Sequence, residues 1–221
     1  MTKRILTVLT SHGQLGDTGR TTGFYVSEAA HPWEVFHSAG FEMDLASIAG
    51  GEPPQDGYDP DDPAQVKFLE TYGERLRSTP RVADVDPARY DAVFFAGGHG
   101  TMWDFPDDKD VAALTRAVYE NGGVVAAVCH GPSALVNVTL SDGSLLVAGK
   151  RVAAFTDSEE AAAGLAGTVP FLLASTLAER GALHSGAPDF TEHVVRDGRL
   201  VTGQNPASAA GAAREVVAAL S

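Results

Sequence analysis

The chain has 221 residues, of which 44% are hydrophobic and 20% are charged, and its formal net charge is −13 at pH 7. This composition is typical of a globular protein with a substantial core and excludes an intrinsically disordered chain. The acidic balance argues against partners such as nucleic acid or an anionic membrane surface, since both need clustered lysine and arginine. We therefore expect one α/β domain over residues 1–221 that acts on a small molecule.

Two features bear on the compartment. The apolar stretch near the amino terminus, residues 5–9, is too short for a secretion signal or a spanning helix. Cys129 is the single cysteine, which excludes an intrachain disulfide and fits a reducing environment. We expect a cytoplasmic protein with no membrane association.

The hydrophobic pattern predicts strands and helices that alternate along the chain, as in a doubly wound, flavodoxin-like α/β fold with a mostly parallel sheet between helices. Residues 49–63 interrupt the alternation, because glycine, proline and aspartate dominate there, and they indicate an insertion or loop. Its acids favour a solvated loop over a cation site. The predicted strands are residues 4–11, 42–47, 90–96, 124–128 and 151–155, with a hairpin in 193–201, and the predicted helices are 27–39, 64–77, 108–121, a helix opened by Asp157, 170–180, and a last helix ending at Leu220.

Glu28 lies in the first turn of the predicted helix 27–39, with Ser27 as a plausible N-cap. A carboxylate at that place is stabilised by the positive end of the helix dipole. The residue pattern alone therefore favours an exposed, non-catalytic role for Glu28.

The apolar run 124–128 is followed directly by Cys129 and His130. A continuous apolar run predicts a parallel strand buried on both faces, and ligands of such sheets bind at the carboxyl ends of the strands. Gly131-Pro132 then predicts the start of a helix, whose N-terminus would favour thiolate over thiol. Cys129 is a candidate nucleophile, and the alternative is a small buried core residue.

A glycine loop, Gly97-Gly98-His99-Gly100-Thr101, follows the predicted strand 90–96. Glycines let backbone N–H groups approach an anion or a developing oxyanion. The loop lacks the Gly-Lys-Ser/Thr ending of a Walker loop and is not a dinucleotide fingerprint. The glycine loop follows a strand that is expected to lie near the strand before Cys129. The glycine loop and the turn at Cys129 can therefore face one pocket.

A cysteine nucleophile needs a base, a group that orients the base, and donors for the oxyanion. His130 is the adjacent base, and Glu160 reaches it if the strand over 151–155 lies beside the strand before Cys129. The N–H groups of Gly98 and His130 are candidate oxyanion donors. No metal site is expected, because the other histidines are scattered without i, i+4 pairs, and most are assigned to the surface or to the surroundings of the site. They are His12, His31, His37, His99, His184 and His193.

Five segments that together span nearly the whole chain carry a family resemblance: residues 23–32 (GFYVSEAAHP), 95–101 (FAGGHGT), 126–132 (AAVCHGP), 155–160 (FTDSEE) and 203–208 (GQNPAS). They resemble the ThiJ/PfpI superfamily, which has the class I glutamine amidotransferase-like fold. Within it they look most like the heat-shock-inducible, glutathione-independent glyoxalases, also called glyoxalase III or D-lactate dehydratase. The long loop at 49–63 suits that larger branch.

The resemblance implies roles for individual residues. Cys129 is then the nucleophile, His130 the proton shuttle, Glu160 the residue that orients His130, and Glu28 the carboxyl beside the thiol. The implied reaction converts methylglyoxal to lactate through a hemithioacetal, whose oxygen is held by the Gly98 and His130 amides, and it needs no cofactor. The resemblance also implies a homodimer.

Two other classes of function stay open. A cysteine peptidase or amidotransferase shares the strand, nucleophile, helix arrangement, but amidotransferases of this fold resemble a pattern with His-x-Glu near the carboxyl terminus. Here His193 is followed by Val194-Val195, so that pattern is absent. A thiol-based stress sensor or holding chaperone needs only Cys129 and exposed apolar surface.

Overall fold

A six-stranded sheet lies at the centre of the computed structural model, which describes residues 2–221. None of the helices within those residues has the length and apolar composition needed to cross a membrane. In chain order the elements are β1 (Arg4–Leu9), β2 (Phe24–Tyr25), α1 (Ser27–Ser38), β3 (Glu42–Ser47), β4 (Gln55–Asp56), α2 (Pro63–Leu76), β5 (Ala92–Phe95), α3 (Thr101–Asp104), α4 (Lys109–Glu120), β6 (Val124–Val128), β7 (Arg151–Val152), α5 (Asp157–Ala162), α6 (Leu173–Glu179), β8 (Leu183–His184), β9 (Val194–Asp197), β10 (Leu200–Gly203) and α7 (Ala209–Leu220).

The strand order of the central sheet is β3-β1-β5-β6-β10-β9. The first five strands are parallel, and β9 runs antiparallel to β10 at one edge. This is the order of a doubly wound, flavodoxin-like sheet with one added edge strand, and it confirms the predicted fold class. The winding reverses between β1 and β5, so a crevice opens there at the carboxyl ends of the strands.

The central strands are apolar on both faces because helices cover both sides of the sheet. Along β6, Val124, Ala126 and Val128 face the layer of α1, α2 and α7, whereas Val125 and Ala127 face the layer of α4 and α6. All five side chains are buried, and each buried valine contributes about 1.5–3 kcal/mol to stability. The sheet is thus a dry support, and polar chemistry is confined to the loops at the strand ends.

Two elements near Cys129 are short, and the second is shorter than predicted. The helix after it is a 3-10 helix of five residues, Gly131–Leu135. The strand predicted over 151–155 is only β7, which pairs with β8 outside the central sheet because β10 occupies the place beside β6. Phe155 nevertheless lies next to the turn, since its N–H donates to the carbonyl oxygen of Cys129 at 2.9 Å. This contact brings α5 to the cysteine.

The insertion over residues 49–63 is not entirely loop, because β4 pairs in parallel with β2. The Phe24 N–H donates to the oxygen of Pro54 and the Val26 N–H donates to that of Asp56, both at 2.9 Å. On the other side of β2, the Tyr25 N–H donates to the oxygen of Gly97 at 3.0 Å. The insertion therefore fixes the start of α1 against the glycine loop after β5.

Candidate active site

Cys129 stands at a sharp turn between β6 and the 3-10 helix that follows. Its φ of +61° lies in the left-handed region, which costs a residue with a Cβ atom about 1–3 kcal/mol. The surroundings hold this conformation, because the Cys129 N–H donates to the Gly203 oxygen at 2.9 Å. Gly131 permits the turn, since a Cβ there would lie 2.3 Å from the carbonyl oxygen of Phe95. The strained turn directs the thiol into a cavity at the strand ends.

His130 connects the thiol to Glu160. Its Nδ1 lies 3.3 Å from Sγ of Cys129, and its Nε2 lies 2.7 Å from Oε2 of Glu160. Burial alone would raise the pKa of Glu160, but hydrogen bonds from His130 and His99 outweigh burial and lower the pKa to about 2. An ionised carboxylate only accepts hydrogen bonds, so Nε2 of His130 carries the proton and the Nδ1 lone pair faces the thiol. The ring is therefore oriented to take a proton from Cys129.

Glu28 is fully buried, contrary to the exposed role that its place in the helix favours. Ser27 is not its N-cap: Ser27 is the first residue of α1, and no side chain caps the helix. Oε2 of Glu28 accepts the Gly97 N–H at 2.8 Å, and Oε1 has no hydrogen-bond partner within residues 2–221. The structure brings Glu28 to Cys129, as the family resemblance implies, because α1 points its first turn at the ends of β5 and β6.

The glycine loop after β5 presents a free backbone donor. Gly98 has a φ of +107°, and a Cβ there would lie 2.2 Å from the oxygen of Gly23, so only glycine fits. In the part of the chain that the structure describes, the Gly98 N–H has no hydrogen-bond acceptor, and the His130 N–H lies close to the sulfur. Gly98 lines the same cavity as the thiol, so its N–H and that of His130 are candidate oxyanion donors.

Burial sets the protonation of the three central groups. It raises the pKa of Glu28 to about 8, and together with the negative charge of Glu28 it raises the pKa of Cys129 well above its ordinary value. Burial, aided by electrostatic repulsion from the neighbouring His99 side chain, lowers the pKa of His130 to about 4. At neutral pH the site therefore holds a protonated carboxyl, a thiol and a neutral imidazole. The thiolate expected from a helix N-terminus is not favoured, because burial outweighs a helix of only one short turn.

The cavity above these groups has a volume of about 360 Å³. Cys129, His130, Glu28 and Gly98 all line it, and aromatic side chains form part of its walls. Phe190 lies at the mouth, where its side chain is 53% exposed. A small carbonyl compound fits in this volume with its reacting carbon next to the sulfur.

The structure adds one residue that the sequence analysis set aside. Nε2 of His99 lies 2.9 Å from Oε1 of Glu160, and the rings of His99 and His130 have centroids 4.1 Å apart. The donor atoms of His99, His130 and Glu160 all lie within 4.8 Å of one another. A search for i, i+4 pairs misses this group, because His99 and His130 follow two different strands and Glu160 lies in α5. The only sequence signal was the position of His99 in a glycine loop at a strand end.

Glu159, next to Glu160, makes a different set of contacts. It is fully buried and completes a capping box with Thr156 at the start of α5. Its Oε1 also accepts the Phe190 N–H at 2.7 Å and the side-chain amides of Gln204 at 3.1 Å and Asn205 at 2.9 Å. Gln204 and Asn205 therefore secure the loop that carries Phe190, while Gly203 of the same segment accepts the Cys129 N–H and Pro206 lines the cavity.

Comparison with known proteins places the chain among relatives along its whole length. Residues 21–219 match the DJ-1/PfpI family. A Candida albicans protein named Glyoxalase 3 is 35% identical over 98% of each chain, and the Saccharomyces cerevisiae glutathione-independent glyoxalase HSP31 is 34% identical over 99% of this chain and 98% of its own. The crystal structure of glyoxalase III from Candida albicans matches with a TM-score of 0.90 at 35% identity, covering 98% of this chain and 97% of that one. The chain therefore belongs to the DJ-1/PfpI family.

Proposed function

We propose that the protein is a glutathione-independent glyoxalase that converts methylglyoxal to lactate. The observation that carries this proposal is the arrangement of one thiol, one imidazole 3.3 Å from it and one buried carboxyl around one cavity. Full-length relatives named as glyoxalases support the same chemistry. Glutathione is unnecessary because Cys129 itself supplies the sulfur that adds to the aldehyde.

In the first step Sγ of Cys129 adds to the aldehyde carbon. His130 accepts the thiol proton at Nδ1, and Glu160 stabilises the resulting imidazolium through Nε2. The aldehyde oxygen becomes the hydroxyl of a hemithioacetal, and the N–H groups of Gly98 and His130 stabilise its negative charge as it develops. The carbon–sulfur bond that forms replaces one carbonyl bond, so no oxidant is needed.

In the second step a proton moves between the two substrate carbons. His130 removes it from the former aldehyde carbon, giving an enediol, and the protonated His130 then delivers it to the neighbouring carbon. Burial raises the pKa of Glu28 to about 8, so it holds a proton at neutral pH and protonates the second carbonyl oxygen as the enediol forms. It takes back a proton from the former aldehyde oxygen as the thioester carbonyl forms. The product is a lactoyl thioester on Cys129, isomeric with the hemithioacetal. Water then hydrolyses it, releasing lactate and the free thiol.

The same geometry is unfavourable for a thiol sensor. Sensor cysteines are exposed and have a low pKa, because the thiolate is the form that oxidants attack. Cys129 is 4% exposed, and burial raises its pKa. These observations support catalysis, in which His130 removes the thiol proton as the sulfur attacks the bound substrate.

The test is the disappearance of methylglyoxal and the appearance of lactate with purified, tag-free protein and no added glutathione. We expect turnover that is lost in Cys129→Ala. Unchanged methylglyoxal over hours at micromolar protein would refute the proposed function.

We also propose a cytoplasmic homodimer. A single cysteine with no disulfide partner supports a reducing compartment. The dimer follows from the family resemblance, with a weak general preference for closed twofold assemblies. Light scattering that gives the 23.0 kDa mass of one chain at micromolar concentration would refute the dimer.

A further inference from the structure

Three metal-binding side chains converge at the wall of the cavity. His99, His130 and Glu160 each offer one donor atom, and these atoms lie within 4.8 Å of one another. The Nε2 atoms of the two histidines are 2.9 Å and 2.7 Å from the two oxygens of the carboxylate. Two imidazole nitrogens and one carboxylate oxygen form the donor set of many zinc sites, with bonds of about 2.0–2.2 Å. A tetrahedral centre with such bonds spaces its donors about 3.3 Å apart, so small side-chain shifts suffice.

The geometry points to an inhibitory site for Zn²⁺ and similar divalent transition metals at His99, His130 and Glu160. Magnesium and calcium are disfavoured because they prefer all-oxygen ligands. The side chain of His99 is 20% exposed, whereas those of His130 and Glu160 are 1% and 3% exposed. The metal therefore enters from the cavity past His99, and its fourth position faces the cavity.

Metal binding and catalysis require opposite tautomers of His130. In the free protein the proton sits on Nε2, which donates to Glu160, and Nδ1 is the acceptor 3.3 Å from the thiol. A metal that takes the Nε2 lone pair leaves the neutral ring with its proton on Nδ1, with no net proton release. Nδ1 then cannot accept the thiol proton. The inhibitory effect rests on the proposed function, whereas the metal binding does not.

The binding test titrates ZnCl₂ into metal-free, tag-free, full-length protein by calorimetry, with Co²⁺ absorption as a second probe. We expect one tight equivalent and the visible bands of a tetrahedral Co²⁺ centre without a thiolate charge-transfer band. His99→Ala should lower the affinity for Zn²⁺ about 10²-fold or more. Removing a metal ligand should weaken metal binding at least as much as removing a residue that only hydrogen-bonds to a ligand. His31→Ala is the matched control, because that ring pairs with Asp62 and does not line the cavity.

A Cys129→Ser variant distinguishes this site from a thiolate site. It should keep the tight equivalent and the Co²⁺ spectrum. Loss of binding in Cys129→Ser with retention in His99→Ala would overturn the proposal, and so would the absence of a tight equivalent in the wild-type protein.

The activity arm follows lactate formation with and without one equivalent of Zn²⁺. We expect loss of turnover that a chelator reverses. Tight binding at His99 with unimpaired turnover would overturn the inhibitory role. Tight binding in a protein that never turns over methylglyoxal would instead refute the proposed function and leave the metal site standing.

Discussion

Nε2 of His130 lies 2.7 Å from Oε2 of Glu160, and this contact determines which ring nitrogen faces the thiol of Cys129. Oε1 of the same carboxylate accepts a second hydrogen bond, from His99. One carboxylate thus holds two rings in the tautomer that has its proton on Nε2. Only with that tautomer does His130 present a lone pair to the sulfur.

Glu160→Gln should lower kcat for methylglyoxal by about 10²- to 10⁴-fold, the usual contribution of a general acid–base group. An amide oxygen can accept from one ring, but the amide NH₂ must then donate to the other, which places a proton on the wrong nitrogen of that ring. Initial rates of lactate formation measure the effect. Asp157→Asn on the same helix is the control, because its carboxylate bonds to Ser175 and not to the cavity residues. Equal rates for wild type and Glu160→Gln would contradict the orienting role.

Cys129→Ser should reduce lactate formation to less than a tenth of the wild-type rate while leaving the fold intact. A serine hydroxyl is a much weaker nucleophile than a thiol, and a neutral His130 with a lowered pKa is too weak a base to activate it. Circular dichroism before and after substitution checks the fold. A retained rate of a tenth or more would show that Cys129 is not the nucleophile.

The apolar runs were enough to predict the sheet, because strands buried on both faces leave a continuous hydrophobic signal. The run before Cys129 is the clearest case. The pattern gave no measure of how long the following helix would be, since Gly131-Pro132 starts a helix equally well whether it has one turn or four. The burial that raises the pKa of Cys129, and so opposes the predicted thiolate, depends on residues distant in the chain, which no local pattern records.

Glu28 and His99 show a second limit of prediction from local sequence patterns. An acid in the first turn of a helix has the same local pattern whether it is exposed or buried, and it is tertiary packing that buries Glu28 and brings it to the Gly97 N–H. The residue pattern favoured the exposed role, and the family resemblance pointed to the thiol. His99 joins Glu160 across 61 positions in the chain, a separation that no local spacing rule covers.

Glu159→Gln should act on stability and not on chemistry. Its carboxylate caps α5 and accepts hydrogen bonds from the Phe190 N–H and two side-chain amides. In the glutamine variant an NH₂ group replaces one of the accepting oxygens and faces these N–H donors. We expect a loss of about 2–4 kcal/mol in the free energy of unfolding, measured in urea. The exposed Glu179→Gln is the control. If the folded Glu159→Gln protein is as stable as wild type but inactive, the roles of Glu159 and Glu160 are exchanged.

Glu28 should make the stability of the protein depend on pH. Burial raises its pKa from 4.5 to about 8, so the folded state binds the proton more tightly than the unfolded chain does. Proton binding by Glu28 therefore stabilises the folded state fully below the unfolded pKa of 4.5. This stabilisation is lost at about 1.4 kcal/mol per pH unit as the pH rises from there to about 8. The amide of Glu28→Gln does not titrate, so this loss cannot occur in the variant. Between the two pKa values, its free energy of unfolding should therefore rise relative to that of the wild type by roughly 5 kcal/mol.

Urea unfolding of both proteins at pH 5, 6.5 and 8 measures this difference directly, because any cost of the amide that does not depend on pH cancels from the slope. Glu34→Gln, an exposed carboxylate on the same helix, is the matched control and should run parallel to the wild type. The same Glu28→Gln protein should lose most of its methylglyoxal turnover, since its amide donates a hydrogen bond but cannot deliver a proton. If Glu28→Gln and wild type keep a constant difference in unfolding free energy from pH 5 to 8, Glu28 is ionised in the folded protein and cannot be the acid.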